Sequence, residues 1–179
     1  MIQLILACIA ISLFIAYNAT TIGIFGLPCS LSNTYYMLNE KWKGSGIAFT
    51  IMMISMAALL LYPWMYVTFV ISSWSMYLGI LPFLTCVLIM FVGAAPQFRQ
   101  DKYTEETHYA GAFGAAGCAL LWVCIVCWQI AYIIPIWILV CGGIAHLTKT
   151  ARSSRDWLLE MCAFGPTFTA IIAELAMHL

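Results

Sequence analysis

The chain is 179 residues long, with 64% hydrophobic residues, 8% charged residues and no net charge. Soluble domains carry about 25% charged residues, so a large soluble domain is excluded. The zero net charge leaves no electrostatic footprint for nucleic acid. What remains is an all-α polytopic membrane protein folded as one domain over 1–179.

A membrane helix needs about 20 mostly apolar residues. The first such segment is 2–26, with a polar interruption at Asn18, Thr20 and Thr21. Its opening, Met-Ile-Gln-Leu-Ile-Leu, lacks the basic stretch of a cleavable signal peptide, so it is expected to stay as a helix. Loop 27–45 follows, then spans at 46–67 and 74–94. Tyr109 to His146 is one apolar stretch of 38 residues. As one helix it would be about 57 Å long, nearly twice a hydrocarbon core. It is therefore expected to fold back near Trp128-Gln129-Ile130, giving spans 109–128 and 130–147, with Pro135 in the first third of the latter. The sixth span is 156–177. The expected architecture is a bundle of six transmembrane helices with short loops.

Threading six spans gives the bundle a basic face. Lys41, Lys43, Arg99, Lys102, Lys149, Arg152 and Arg155 fall in loops 27–45, 95–108 and 147–156, all on one side. Glu40, Asp101, Glu105, Glu106, Asp156 and Glu160 lie on or near that side, and only Glu174 lies towards the other. The positive-inside rule puts the basic face in the cytoplasm and both termini outside. Tyr62, Trp64, Tyr66, Trp74 and Tyr77 read as an aromatic belt on the opposite face, with Trp42 and Trp157 marking the basic one. Ala110, Gly111, Gly114, Ala115, Gly117 and Cys118 form a small-residue face for close helix packing, internal or between copies.

Three constellations could carry chemistry. His108 and His146 are expected at one membrane boundary, with Asp101, Glu105, Glu106 and Lys149 nearby. Imidazoles and carboxylates bind metals or shuttle protons. Glu105, His108 and His146 are the weak metal candidate, since a di-metal bundle wants two Glu-x-x-His pairs and one is present. The plain alternative is interfacial histidines at helix ends, with Thr104 and Thr107 capping the fourth span. The second constellation is the run from Pro28 to Tyr36. Its Ser30, Ser32, Asn33, Tyr35 and Tyr36 could hold a lipid headgroup or small polar ligand, or close the loop through Asx- and ST-turns. The third is the pair of acids on the last span, Glu160 and Glu174, since an acid inside a membrane helix is expensive. Cys124 and Cys127 form a CxxC without the helix N-terminus that activates such thiols. No nucleotide-loop, zincin or nucleophile-elbow pattern occurs, and no cofactor is indicated.

Pro28 to Tyr36, then Phe91-Val92-Gly93-Ala94-Ala95-Pro96, then His108-Tyr109-Ala110-Gly111-Ala112 follow one another in an order seen elsewhere. Over roughly 20–120 the chain resembles a bacterial family of six-helix membrane proteins of unknown function. It more distantly resembles the Frag/DRAM/Sfk-type membrane proteins, which are associated with lipid, GPI-anchor and autophagy roles. The resemblance implies that loop 28–36 and His108 converge on one side of the bundle. It also implies that the basic face lies outside, opposite to the count of basic residues. The family's loop between the second and third helices tends to be charged, whereas Thr68 to Met76 carries no charge here.

The function these features favour is an integral membrane protein binding a lipid or partner protein through the face formed by loops 28–36, 95–108 and 147–156. An intramembrane lipid-modifying enzyme using His108, His146 and nearby carboxylates is one alternative. A small channel, or a subunit of a larger membrane complex or homo-oligomer, is the other.

Overall fold

The computed structural model describes residues 1–72, 76–95, 102–150 and 152–179, without the side chains of Met76 and Lys102. Trp74, Arg99 and Asp101 therefore lie outside the described residues, as does most of loop 95–108 before Lys102. Helices account for nearly all of the described chain. They are α1 (Ile2–Phe25), α2 (Asn33–Lys41), α3 (Ile47–Tyr66), α4 (Ile80–Ala94), α5 (Lys102–Ile125), α6 (Ile133–Thr148) and α7 (Arg155–Met177). Six are long and apolar enough to cross a membrane once the short turns flanking α3, α4 and α6 are included. A helix satisfies its backbone polar groups within itself, as hydrocarbon demands.

Two boundaries differ from the sequence expectation. Loop 27–45 contains α2, a short helix too polar to register as a span. The fourth span begins at Lys102, seven residues before the expected Tyr109. Its first turns project beyond the apolar stretch, and Tyr103, Glu105 and Glu106 are exposed there. Thr104 and Thr107 are therefore inside the helix rather than at its cap. The fold-back occurs where expected, at a short 3-10 turn over Trp128–Ile130.

Five of the spans form a closed ring. α3 packs between α1 and α4, α4 packs on α5, α5 on α7, and α7 returns to α1. α6 stands outside the ring with α7 as its one substantial helix partner among the described residues. Close approaches set the ring's tightness. A Cβ at Gly93 would lie 2.8 Å from the Met53 Cβ, and the Thr50 hydroxyl donates to the Gly93 carbonyl at 2.8 Å, joining α3 to α4. Gly111 and Gly114 of α5 face Val92 and Leu88 of α4, whereas Gly117 faces open space. The small-residue face thus serves internal packing at its first half.

The two ends of the bundle are fixed by cross-chain bonds. At the basic end, the Trp157 N–H donates to the Cys29 carbonyl at 2.9 Å. At the opposite end, Gln3 Nε2 donates to the Tyr62 hydroxyl at 3.4 Å. There too, Trp122 Nε1 donates to Thr68 Oγ1 at 2.9 Å, and Thr68 donates to the Trp64 carbonyl at 3.0 Å. The aromatic belt is smaller than the sequence suggests. Tyr62 and Tyr77 are exposed, as is Trp42 on the basic side. Trp64 is instead fully buried, edge-on to Trp122 with ring centroids 5.4 Å apart. Trp157 is buried as well. Both are core residues because each sits on the ring-facing side of its helix.

Candidate functional site

The hydroxyl-rich run after α1 is stitched to the start of α7. Ser154 Oγ donates to the Leu27 carbonyl at 3.3 Å, and the Leu31 N–H donates to Glu160 Oε2 at 2.6 Å. Trp157 Nε1 donates to Asn18 Oδ1 at 3.1 Å, while Asn18 Nδ2 donates to the Phe14 carbonyl at 3.0 Å. Within the run, Ser30 and Ser32 share a hydrogen bond at 3.2 Å, and the Asn33 N–H donates to Ser30 Oγ at 3.1 Å. Thr34 donates to the Leu31 carbonyl at 2.5 Å and its oxygen meets the Tyr17 hydroxyl at 2.5 Å. Tyr35 and Tyr36 are half-buried and packed edge-on to each other, with ring centroids 5.3 Å apart. Ser30, Ser32, Asn33 and Glu160 are thus engaged in closing this clasp.

The histidines are not brought together. His108 is buried in α5, with Nδ1 3.1 Å from the Ala95 carbonyl. His146 is exposed in the last turn of α6. α6 packs on α7, and α5 is not one of its substantial neighbours. Among the described residues, no three metal-ligating side chains gather, so Glu105, His108 and His146 do not form a centre. The reason is the position of α6, which packs on α7 and leaves His146 on a helix without substantial contact to α5.

The ring encloses a chamber of about 60 Å³. Small side chains of α5, including Ala112, Ala115 and Ala119, line one wall, and Phe164 and Phe168 of α7 another. Glu160 and Ser32 stand at its basic end, and Trp64 lies deep within it. Trp64 Nε1 is the buried side-chain polar atom without a hydrogen-bond partner among the described residues.

Because α6 stands outside the ring, a groove of about 650 Å³ opens between it and α1, floored by α7. Its walls are apolar, with Ile11, Ile15 and Ile22 on α1 opposite Trp137 on α6. Trp137 is seated against Gly165, where a Cβ would fall within 2.7 Å of three of its ring atoms. Its Nε1 donates to Thr169 Oγ1 at 3.0 Å. Phe164 and Phe168 line both groove and chamber and form the partition between them, backed by Phe14. Beyond the groove's lining, on the basic side, Lys149 and Arg152 of the α6–α7 turn and Arg155 at the start of α7 are exposed. Arg155 is paired with Asp156 at 3.0 Å, whereas Lys149 and Arg152 meet no carboxylate among the described residues. Lys149 holds a left-handed backbone, φ 56° and ψ 25°, at the end of α6. Glycine or asparagine is the usual residue there, and lysine costs roughly 1–2 kcal/mol.

The second in-span acid, Glu174, sits at the opposite end. It is buried, and Cys127 lies beside it. Both line a pocket of about 340 Å³ with Ser72, Gln129, Trp128 and His178. His178 Nδ1 faces the Glu174 backbone carbonyl at 2.9 Å.

Asn18 announced itself as a polar break in an apolar span, but its partner Trp157 is 139 residues away and nothing local points to it. The Trp137–Gly165 seat carries no sequence signal either. No protein-family model, curated protein or solved structure matches this chain.

Proposed function

We propose that this integral membrane protein holds an anionic lipid, with one acyl chain in the α1/α6/α7 groove and the headgroup at Lys149 and Arg152. The observation that carries the reading is the groove itself. Its volume, about 650 Å³, is within the usual 300–1,000 Å³ range of ligand sites. It runs along α1 from Ile11 to Ile22, about 16 Å at 1.5 Å per residue. That is half of a hydrocarbon core of about 30 Å, so the groove serves the leaflet on the basic side. Basic residues at the leaflet surface between transmembrane helices suit anionic headgroups. The strained backbone at Lys149 keeps a cation where a glycine would be more stable. The lipid roles of the Frag/DRAM/Sfk-type proteins are in keeping with this reading. Turnover at His108 and His146 has no geometric support, since they lie on helices that are not substantial neighbours.

The test is lipid retention. Protein purified in mild detergent is expected to carry about one anionic phospholipid per chain, counted by mass spectrometry after extraction. Lys149→Ala with Arg152→Ala removes about 1 kcal/mol per cation, so affinity should fall about 30-fold. Ala19→Trp, which fills the groove, should abolish retention. Equal retention in these variants, or equal retention of neutral lipids, overturns the reading. A second copy of the chain in the groove, seen as a dimer that Ala19→Trp breaks, also overturns it.

A further inference from the structure

We propose that the pocket on the uncharged face binds an organic ammonium group, with Glu174 as its counter-ion. The site lies at the other end of the bundle and stands independently of the lipid groove.

The electrostatics point to a cation. Glu174 is 8% exposed, inside a helix long and apolar enough to span a membrane. An acid buried at such a place pairs with a partner or marks a ligand pathway. The described basic side chains, Lys41, Lys43, Lys149, Arg152 and Arg155, lie towards the other end of the bundle. No lysine or arginine lines the pocket, and its one imidazole, His178, has Nδ1 against a backbone carbonyl. Cys127 lines the pocket and brings no positive charge to it. The buried carboxyl group is therefore left without a lysine or arginine partner among the described residues.

The pocket's shape and lining narrow the class. About 340 Å³ is ample for a small amine and its substituents. Ser72 and Gln129 offer oxygen acceptors for ammonium hydrogens. Trp128 lines the pocket while 65% exposed, so its indole is accessible to a ligand there. Indole is the strongest side-chain partner for an alkylammonium cation. A divalent metal is a poorer match, because it wants several charged or imidazole ligands. The described residues gather no group of three. The ammonium could arrive free, as ethanolamine or choline, or at the tip of a lipid headgroup.

Isothermal titration of the delipidated full chain in detergent tests this, with ethanolamine chloride and choline chloride against sodium chloride at equal ionic strength. Saturable binding of at least one amine is expected, and sodium should give none. Glu174→Gln keeps the shape of the side chain and should weaken binding at least about tenfold. Glu174→Asp, which keeps the charge, should retain part of it, and the exposed Glu40→Gln should change nothing. Repeating the titration in nanodiscs separates the sources. Loss of amine binding with ethanolamine lipids but not with glycerol lipids identifies a lipid headgroup, and binding in both identifies a free amine. Absence of saturable binding by either amine in detergent, equal binding of sodium, or unchanged binding by a folded Glu174→Gln overturns the proposal.

Discussion

Gly165→Ala should destabilise the protein, and the sign of its effect should reverse when Trp137 is removed. α6 has one substantial partner, and its Trp137 ring lies where the Gly165 side chain would be. An added methyl within 2.7 Å of three ring atoms cannot be absorbed in place. The indole must turn out, which costs about 1–3 kcal/mol for overpacking. Turning also breaks the bond from Trp137 Nε1 to Thr169, worth about 0.6 kcal/mol in a membrane protein. Alanine returns about 1 kcal/mol over glycine in a helix. The net loss is about 0.6–2.6 kcal/mol. In a Trp137→Ala background only the alanine term remains, so Gly165→Ala should stabilise by up to about 1 kcal/mol. Equilibrium unfolding in mixed micelles of mild detergent and dodecyl sulfate, followed by far-ultraviolet circular dichroism, measures all four proteins. A stabilising Gly165→Ala in the wild-type background would refute the reasoning, as would the same change in both backgrounds.

Trp64 and Trp122 are both fully buried and touch each other, yet only Trp122 has a partner for its N–H. Trp122→Phe should therefore cost about 1 kcal/mol more than Trp64→Phe in the same unfolding assay, and equal losses would contradict the hydrogen-bond assignment. At the clasp, Glu160→Ala leaves the buried Leu31 N–H without its acceptor and should cost about 1–3 kcal/mol. Glu160→Gln keeps an acceptor there, so it should cost less and protect 27–34 from proteolysis better than the alanine variant.

The six spans were legible because length and apolarity are written locally, about 20 residues at a time. The position of α6 outside the ring was not, since its apolarity suits lipid and protein equally well. α2 was missed because Ser32-Asn33-Thr34 reads as turn chemistry while the helix is held by its contacts with α3. The acids at Glu160 and Glu174 stood out because charge inside a span is costly. Their surroundings did not, because Glu160 meets Leu31 across 129 residues of chain. Trp64 and Trp157 show the same limit. A tryptophan near a helix end reads as an interfacial anchor, and only the packing of distant helices turns it inward.

The clasp between α1 and α7 carries a consequence for how the chain is made. Asn18, the Leu31 N–H and the Cys29 carbonyl are synthesised well before their partners, since Asn18 precedes Trp157 by 139 residues and Leu31 precedes Glu160 by 129. During synthesis α3, α4 and α5 can assemble beside α1, but the ring stays open and these polar groups stay unmatched until α7 enters. A ribosome stalled before 155 would leave an incomplete chain whose Asn18 Oδ1 lacks its Trp157 donor, although Asn18 Nδ2 keeps its bond to the Phe14 carbonyl. Such a chain carries its own mark of incompleteness, of a kind that membrane quality control can detect.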